Sequence, residues 1–202
     1  MVTPSELRIG VLAVQGDVGP HCEVLARLGA IPLPVKSPAD LDRIDGLILP
    51  GGESTTIGLL LKKSGLDAAI QDHHRRRGLP LFGTCAGLIL LAKRIEETPD
   101  QPRLGLLDVT VRRNAFGRQI ESCETVIDAP LFGASPLRAL FIRAPFVAEA
   151  GPLVEILARW RDRAVLVREG AILASAFHPE LTDDDRVHRY FLRRLVAARP
   201  AA

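Results

Sequence analysis

The sequence contains no apolar run near the roughly 20 residues that a membrane span requires, no excess of either charge and few cysteines. Lys and Arg number 26 against 24 Asp and Glu, a formal net charge of +2. That balance gives no electrostatic case for a nucleic acid or another polyanion as partner. The three cysteines, Cys22, Cys85 and Cys123, are odd in number, far apart and outside any paired ligand spacing. They predict free thiols in a reducing compartment, neither a disulfide framework nor a zinc site. The opening stretch MVTPSELRIG lacks the basic-then-apolar layout of a secretory signal. A cytoplasmic protein without membrane contact is the expectation. Internal repeats and low-complexity segments are absent too.

Within 202 residues, 47% of them hydrophobic, there is material for a substantial core in one domain, 1–202. Short apolar runs alternate with amphipathic stretches, the pattern of βαβ units around a mostly parallel sheet. RIGVLAV (8–14) predicts a first strand, followed by a helix over 19–28. IPLPV (31–35) predicts a second, and Pro32 and Pro34 assign it to a sheet edge, where a missing N–H breaks no ladder. GLILP (46–50) and LPLFG (79–83) are further strands, with helices over 55–63, 67–77 and 86–93. The basic run His73-His74-Arg75-Arg76-Arg77 closes the helix over 67–77, where cations suit the helix dipole. From 104 to 176 the texture changes to β-branched runs joined by turns: LLDVTVRR, ESCETVID, ALFIRAP, RAVLVREG and AILASAF. Arg168-Glu169-Gly170 has the look of a hairpin tip. A last helix over 184–198 is acidic at its start and basic near its end. The fold class expected is α/β, a mostly parallel central sheet with helices on both faces and an added antiparallel portion.

Gly83-Thr84-Cys85-Ala86-Gly87 has the form G-x-C-x-G, the thiol counterpart of a nucleophile elbow. A nucleophile on a tight strand-to-helix turn needs small neighbours so that a substrate can approach, and the following helix N-terminus favours its thiolate. A cysteine is equally a small buried hydrophobe, so a base must be found elsewhere. SAFHPEL (175–181) offers one: His178 and Glu180 lie two apart, on one face of an extended segment, and Pro179 pushes His178 toward that geometry. A histidine oriented by a carboxylate is what cysteine catalysis requires. LILPGGESTTIG (47–58) puts Gly51 and Gly52 after a buried strand, where backbone N–H groups can approach a ligand. Ser54, Thr55 and Thr56 are the candidate caps of the next helix. N–H groups of this loop, Gly52 among them, with that of Ala86, can form an oxyanion hole. No G-K-[ST] follows, which excludes a phosphate-binding P-loop.

Arg112, Arg113, Asn114 and Arg118 cluster in VRRNAFGRQIES, and Arg143 sits between apolar residues in FIRAP. Guanidinium groups bind carboxylates bidentately, so either site suits an amino acid's α-carboxylate. Surface ion pairs are the alternative for each. Cys22 and Cys123 have no base near them in sequence and are expected to pack; His21, His73, His74 and His188 are expected on the surface or on helices.

With G-x-C-x-G and a late H-P-E, the chain resembles the class I, or triad, glutamine amidotransferases. Within them it is most similar to the glutaminase subunits of pyridoxal 5′-phosphate synthase. GVLAVQGDVGPH, LILPGGESTTIG, FGTCAGLILLAK, RNAFGRQIES, FIRAP and FHPELTDDDRVH carry that resemblance in order, from the first strand to the last helix. The resemblance implies a flavodoxin-like three-layer fold and hydrolysis of L-glutamine to glutamate and ammonia, without metal or cofactor. It implies Cys85 as nucleophile, His178 as base, Glu180 as its orienter, and glutamine contacts at Gly52, Glu53, Ser54, Arg113, Ile142 and Arg143. It also implies a hetero-oligomeric partner, the synthase subunit that receives the ammonia, and a glutaminase that stays weak until that partner docks. An oxyanion loop over 50–54 that can rearrange fits such behaviour. Phe146 departs from the pattern, since a histidine usually follows IRAP in these subunits; the departure does not touch the triad, and the sequence leaves its effect on the rim facing the partner open. A triad amidotransferase of another pathway, or a non-catalytic binding subunit on the same fold, are the other readings.

Overall fold

The computed structural model describes residues 7–113 and 122–198. The first strand, β1 (Arg8–Leu12), pairs in parallel with β2 (Ile31–Val35) on one side and β3 (Gly46–Leu49) on the other. β3 pairs with β4 (Leu81–Thr84), and β4 with β12 (Ile172–Ser175), again in parallel. β2 is the outer strand of this half, as its two prolines require.

At β12 the sheet turns antiparallel. β12 pairs with β11 (Arg163–Glu169), which also pairs with β9 (Phe146–Ala150) and β10 (Glu155–Trp160). β9 continues to β6 (Leu107–Arg112), and β6 takes β5 (Ala92–Ile95) in parallel. β7 (Ser122–Ile127) and β8 (Leu137–Ile142) form a separate antiparallel ribbon. Gly170, at φ 55°, turns the β11–β12 hairpin at the predicted Arg-Glu-Gly tip.

The helices are α1 (Val18–Arg27), α2 (Ser54–Ser64), α3 (Leu66–Arg77), α4 (Ala86–Leu91) and α5 (Arg186–Tyr190). Side-chain alternation along β4 puts them on both faces of the sheet. Phe82 and Thr84 meet His21 of α1, and Phe82 also meets His188 of α5. Gly83 faces the other way, so close to α4 that a Cβ there would run into the backbone of Gly87. One connected cluster of buried apolar side chains extends from Leu7 to Val196. The basic run ends α3 as expected: Gly78 closes the helix at φ 60°, Arg76 pairs with Asp72, and Arg77 with Asp42.

Two helices depart from expectation, and one strand lies in a stretch left unassigned from sequence. The helix predicted over 86–93 stops at Leu91, because the carbonyls of Leu90 and Leu91 accept from the N–H groups of Leu104 and Leu106. The chain is then free to enter β5 beside β6. β10 was hidden in LVEILARW, whose apolar residues also fit a helical period; pairing with β11 across the Arg161–Asp162 turn decides for strand. The last helix is α-helical only over α5 and π-helical over Phe191–Val196. Asp185, at its N-cap, makes no side-chain cap, although Asp184 Oδ1 accepts from the Arg186 N–H at 3.2 Å. Asp183, Asp184 and Asp185 pair with Arg138, Arg186 and Arg189.

Candidate active site

Parallel register brings three strand ends together. Leu49 of β3 lies opposite Gly83, and Ser175 of β12 lies opposite Thr84. The segments leaving β3, β4 and β12 therefore emerge side by side, carrying Gly51-Gly52, Cys85 and His178. Cys85 adopts φ 48°, ψ −98°, a conformation rare for a residue with a side chain. Its N–H donates to Ser175 O at 2.8 Å and its carbonyl accepts from Ile89. Such strain costs on the order of 1–3 kcal/mol and persists only where the surroundings enforce it. Here Gly83 and Gly87 do so: a Cβ on Gly87 would strike the Leu49 carbonyl, so their smallness lets α4 press onto β3 and β4. Room for α4, more than room for substrate, is the reason for the two glycines.

His178 is held by its N–H to Leu140 O, 2.8 Å away on the β8 ribbon. Pro179–Leu181 then forms a single 3-10 turn, not the extended segment expected, and the turn brings Glu180 back beneath the ring. Glu180 Oε1 lies 2.7 Å from His178 Nδ1, and both side chains are buried. Burial works against charge on His178. Hydrogen bonding and opposite charge from Cys85 and Glu180 outweigh it and push its pKa up to about 10. Cys85 Sγ also lies 3.8 Å from Ile142 O. Gly51 flanks the imidazole so closely that any Cβ there would collide with the ring. Asp17 brings a carboxylate oxygen within 4.8 Å of donor atoms of His178 and Glu180. These three form the one group among the described residues close enough to hold a cation, but His178 Nδ1 and Glu180 Oε1 are already bonded to each other.

A second cluster surrounds Glu53. Its carboxylate accepts from the N–H groups of Thr55 at 3.1 Å and Thr56 at 2.7 Å, and from the Thr56 hydroxyl at 2.7 Å. Glu53, not the Ser-Thr-Thr run, therefore caps α2; Ser54 is buried inside the helix with Oγ unpaired. Burial is the largest single influence and raises the Glu53 pKa, but the hydrogen bonds from Thr56 and Thr55 together outweigh it and lower the pKa to about 2. The Glu53 N–H donates to Gln15 Oε1, and the Gly51 carbonyl accepts from Asp17. Gly16, at φ 114°, permits that contact, since a Cβ would run into the Gly51 carbonyl. Arg113 donates through Nη1 to Gln101 at 2.9 Å and lies 3.6 Å from Glu53 through Nη2.

The fold thus assembles Cys85, His178, Glu180, Ile142 and the Gly51-Gly52 turn, and pairs Glu53 with Arg113. Arg143 is exposed just after β8 at φ 42°. Asn114 and Arg118 lie outside the described residues. Phe146 is buried between the guanidinium groups of Arg112 and Arg163, so the residue itself offers little to a rim. Cys22 packs against the core as expected, while Cys123 is half-buried on β7.

Two histidines lie on helices, as expected, His21 on α1 and His188 on α5, but they face inward. His21 and His188 are fully buried, and His21 Nδ1 lies 3.0 Å from His188 Nε2. His21 Nε2 is 3.2 Å from Thr84 Oγ1 and 3.5 Å from Glu180 Oε1. Burial, reinforced by like charge on neighbouring histidines, lowers the His21 pKa well below its ordinary value. Burial likewise lowers that of His188 to about 3. No spacing rule links residues so distant in the chain.

A strained elbow cysteine beside a bonded His–Glu pair, at the C-terminal edge of a mixed sheet, is the architecture of the class I glutamine amidotransferases. A crystal structure of a glutamine amidotransferase superposes with a TM-score of 0.90 at 49% identity, covering 94% of this chain and 99% of its own. The model of the SNO glutamine amidotransferase family matches residues 11–197, and the chain belongs to that family. It is 58% identical over 186 residues to the pyridoxal 5′-phosphate synthase subunit PdxT of Thermotoga petrophila, covering 92% of this chain and 98% of the relative. Against PdxT of Pelotomaculum thermopropionicum the identity is 53% over 192 residues, 95% of this chain and 97% of the relative.

Proposed function

We propose that this chain is the glutaminase subunit of a pyridoxal 5′-phosphate synthase. It hydrolyses L-glutamine through Cys85, His178 and Glu180 and delivers ammonia to the synthase subunit. The observation that carries the reading is the buried His178–Glu180 bond beside a cysteine held at positive φ. The near-full-length likeness to PdxT subunits supports the pathway.

In this mechanism the thiol proton of Cys85 passes to His178 Nε2, the ring nitrogen that Glu180 leaves free. The raised pKa of His178 favours the imidazolium form of that ring at neutral pH, the form that later donates to the leaving nitrogen. The thiolate adds to the side-chain amide carbon of glutamine, forming a C–S bond and an oxyanion. N–H groups of Ala86, at the start of α4, and of Gly52 receive that charge; each such donor is worth about 3 kcal/mol. His178 gives its proton to the amide nitrogen, the C–N bond breaks and ammonia leaves. Water then adds to the γ-glutamyl thioester as His178 takes its proton, and the C–S bond breaks to release glutamate. Arg113 and Arg143 suit the α-carboxylate, and Glu53 the α-ammonium, with Ser54 and Ile142 lining the same site. None of these steps calls for a metal or a cofactor.

The continuous buried cluster from Leu7 to Val196 supports one domain over 1–202. A cytoplasmic location fits a biosynthetic subunit in which no described helix is long and apolar enough to cross a membrane. The test is ammonia release from L-glutamine with and without the synthase subunit. The wild type is expected to be stimulated by the partner, and Cys85→Ala to be folded and inactive. An active Cys85→Ala chain overturns the assignment, and absence of stimulation points to a different acceptor.

A further inference from the structure

Behind the triad, on the side away from Cys85, lies a row of buried polar side chains with no part in the proton transfers above. His188 on α5 contacts His21 on α1, His21 contacts Thr84 at the end of β4, and both His21 and Thr84 reach Glu180. The distances are 3.0 Å from His188 Nε2 to His21 Nδ1 and 3.2 Å from His21 Nε2 to Thr84 Oγ1. Thr84 Oγ1 lies 3.4 Å from Glu180 Oε1, the same oxygen that accepts from His178 Nδ1 at 2.7 Å. His21, Thr84 and His188 are each completely buried.

Proton bookkeeping gives this row a direction. Burial keeps both histidines neutral, so each ring has one N–H and one lone pair. Were His21 Nδ1 the donor, the N–H of His188 would sit on Nδ1, which is buried and without a partner among the described residues. An unmet buried donor costs about 1–3 kcal/mol. The His21 Nε2 lone pair would also face the Glu180 carboxylate at 3.5 Å. With the protons reversed both faults vanish. His188 Nε2–H donates to His21 Nδ1, His21 Nε2–H points at Thr84 Oγ1 and Glu180, and the Thr84 hydroxyl donates to Glu180 Oε1. His188 Nδ1 then keeps only a lone pair.

We propose that His188, His21 and Thr84 form a one-way hydrogen-bond chain that ends on Glu180 and fixes the carboxylate against His178, with His21 and Thr84 as positioning residues for glutamine hydrolysis. This rests on the glutaminase reading above. Thr84 directly precedes Cys85, so the residue that anchors the orienter shares a backbone with the nucleophile. Substrate does not touch the chain, so its loss acts on kcat and leaves KM alone.

The experiment compares Thr84→Val, which keeps shape and loses the donor, with Thr84→Ser, which keeps the hydroxyl. His21→Leu and His21→Gln form a second pair, since a glutamine amide can replace the Nε2–H. Each is assayed for glutamine hydrolysis with the synthase subunit present, alongside thermal melting. A hydrogen bond to a charged group implies a fall in kcat of roughly 10- to 100-fold for Thr84→Val and His21→Leu. KM is expected to stay within about twofold, and Thr84→Ser and His21→Gln to recover most of the rate. Folded Thr84→Val with wild-type kcat overturns the proposal, as does a loss that Thr84→Ser shares in full or that appears in KM. If His21→Leu does not fold, the near-isosteric Thr84 pair decides. A wild type that hydrolyses no glutamine would instead overturn the glutaminase reading.

Discussion

Glu180 and Glu53 both lie a few residues past the C-terminal end of a central strand, and the two carboxylates do opposite things. Glu180 is buried and takes its hydrogen bonds from side chains: His178, and Thr84 behind it. Glu53 is exposed and spends its oxygens on the first turn of α2. One orients an imidazole, while the other holds a helix N-terminus and keeps an arginine within 3.6 Å. Burial decides the difference. A carboxylate in a dry site acts strongly on one partner, whereas an exposed one shares weaker interactions among several.

Glu180→Gln breaks the comparison hardest. An amide can leave His178 in the wrong tautomer, and the loss expected in kcat is about 10³- to 10⁴-fold with a native melting profile. Steady-state glutaminase kinetics check it, and a fall below tenfold would remove Glu180 from the proposed triad. Gly51→Ala probes the same ring from its other side. The added methyl must displace the His178 imidazole, and a kcat loss of about 100-fold is expected.

Arg113→Ala tests the exposed cluster. With the proposed charged hydrogen bond to the α-carboxylate removed, KM is expected to rise about 10- to 100-fold while kcat changes little. A change confined to kcat would place Arg113 in the chemistry. Glu53→Ala should cost about 1 kcal/mol in urea unfolding through the lost α2 cap, the smallest effect of the series.

Acid separates the two regions as well. The pKa of Glu53 is lowered to about 2, so its contribution to stability is complete above its ordinary 4.5 and is lost as pH falls through 2. His188 is lowered from 6.5 to about 3, so the unfolded chain takes up a proton that the folded one refuses. Its contribution is therefore complete above pH 6.5 and shrinks as pH falls toward 3. His178 has the opposite sign: its contribution holds below pH 6.5 and is lost as pH rises through about 10. Urea unfolding from pH 7 to pH 4 should accordingly be steeper in pH for the wild type than for His188→Leu. Equal slopes would contradict the buried neutral ring.

The chemistry was legible where it depended on local rules. The two prolines marked β2 as an edge, G-x-C-x-G marked the strand-to-helix elbow, and the His-Pro-Glu run marked the bonded His178–Glu180 pair. Long-range geometry was not legible. His21 and His188 are 167 residues apart, and only the crossing of α1 and α5 over β4 makes them neighbours. Glu53 became the cap of α2 because Gln15 and Asp17 tie its loop down, a constraint absent from the stretch GGESTT itself. β10 could be read as a helix until its partner strand was known.

Reaction with a glutamine-like electrophile, followed by mass spectrometry of the intact chain and its peptides, tests the central claim most directly. A single adduct on Cys85 is expected, none on Cys22 or Cys123, with labelling strongly slowed in His178→Ala. Labelling spread evenly over the three cysteines, or unchanged in His178→Ala, would contradict a thiolate activated by His178.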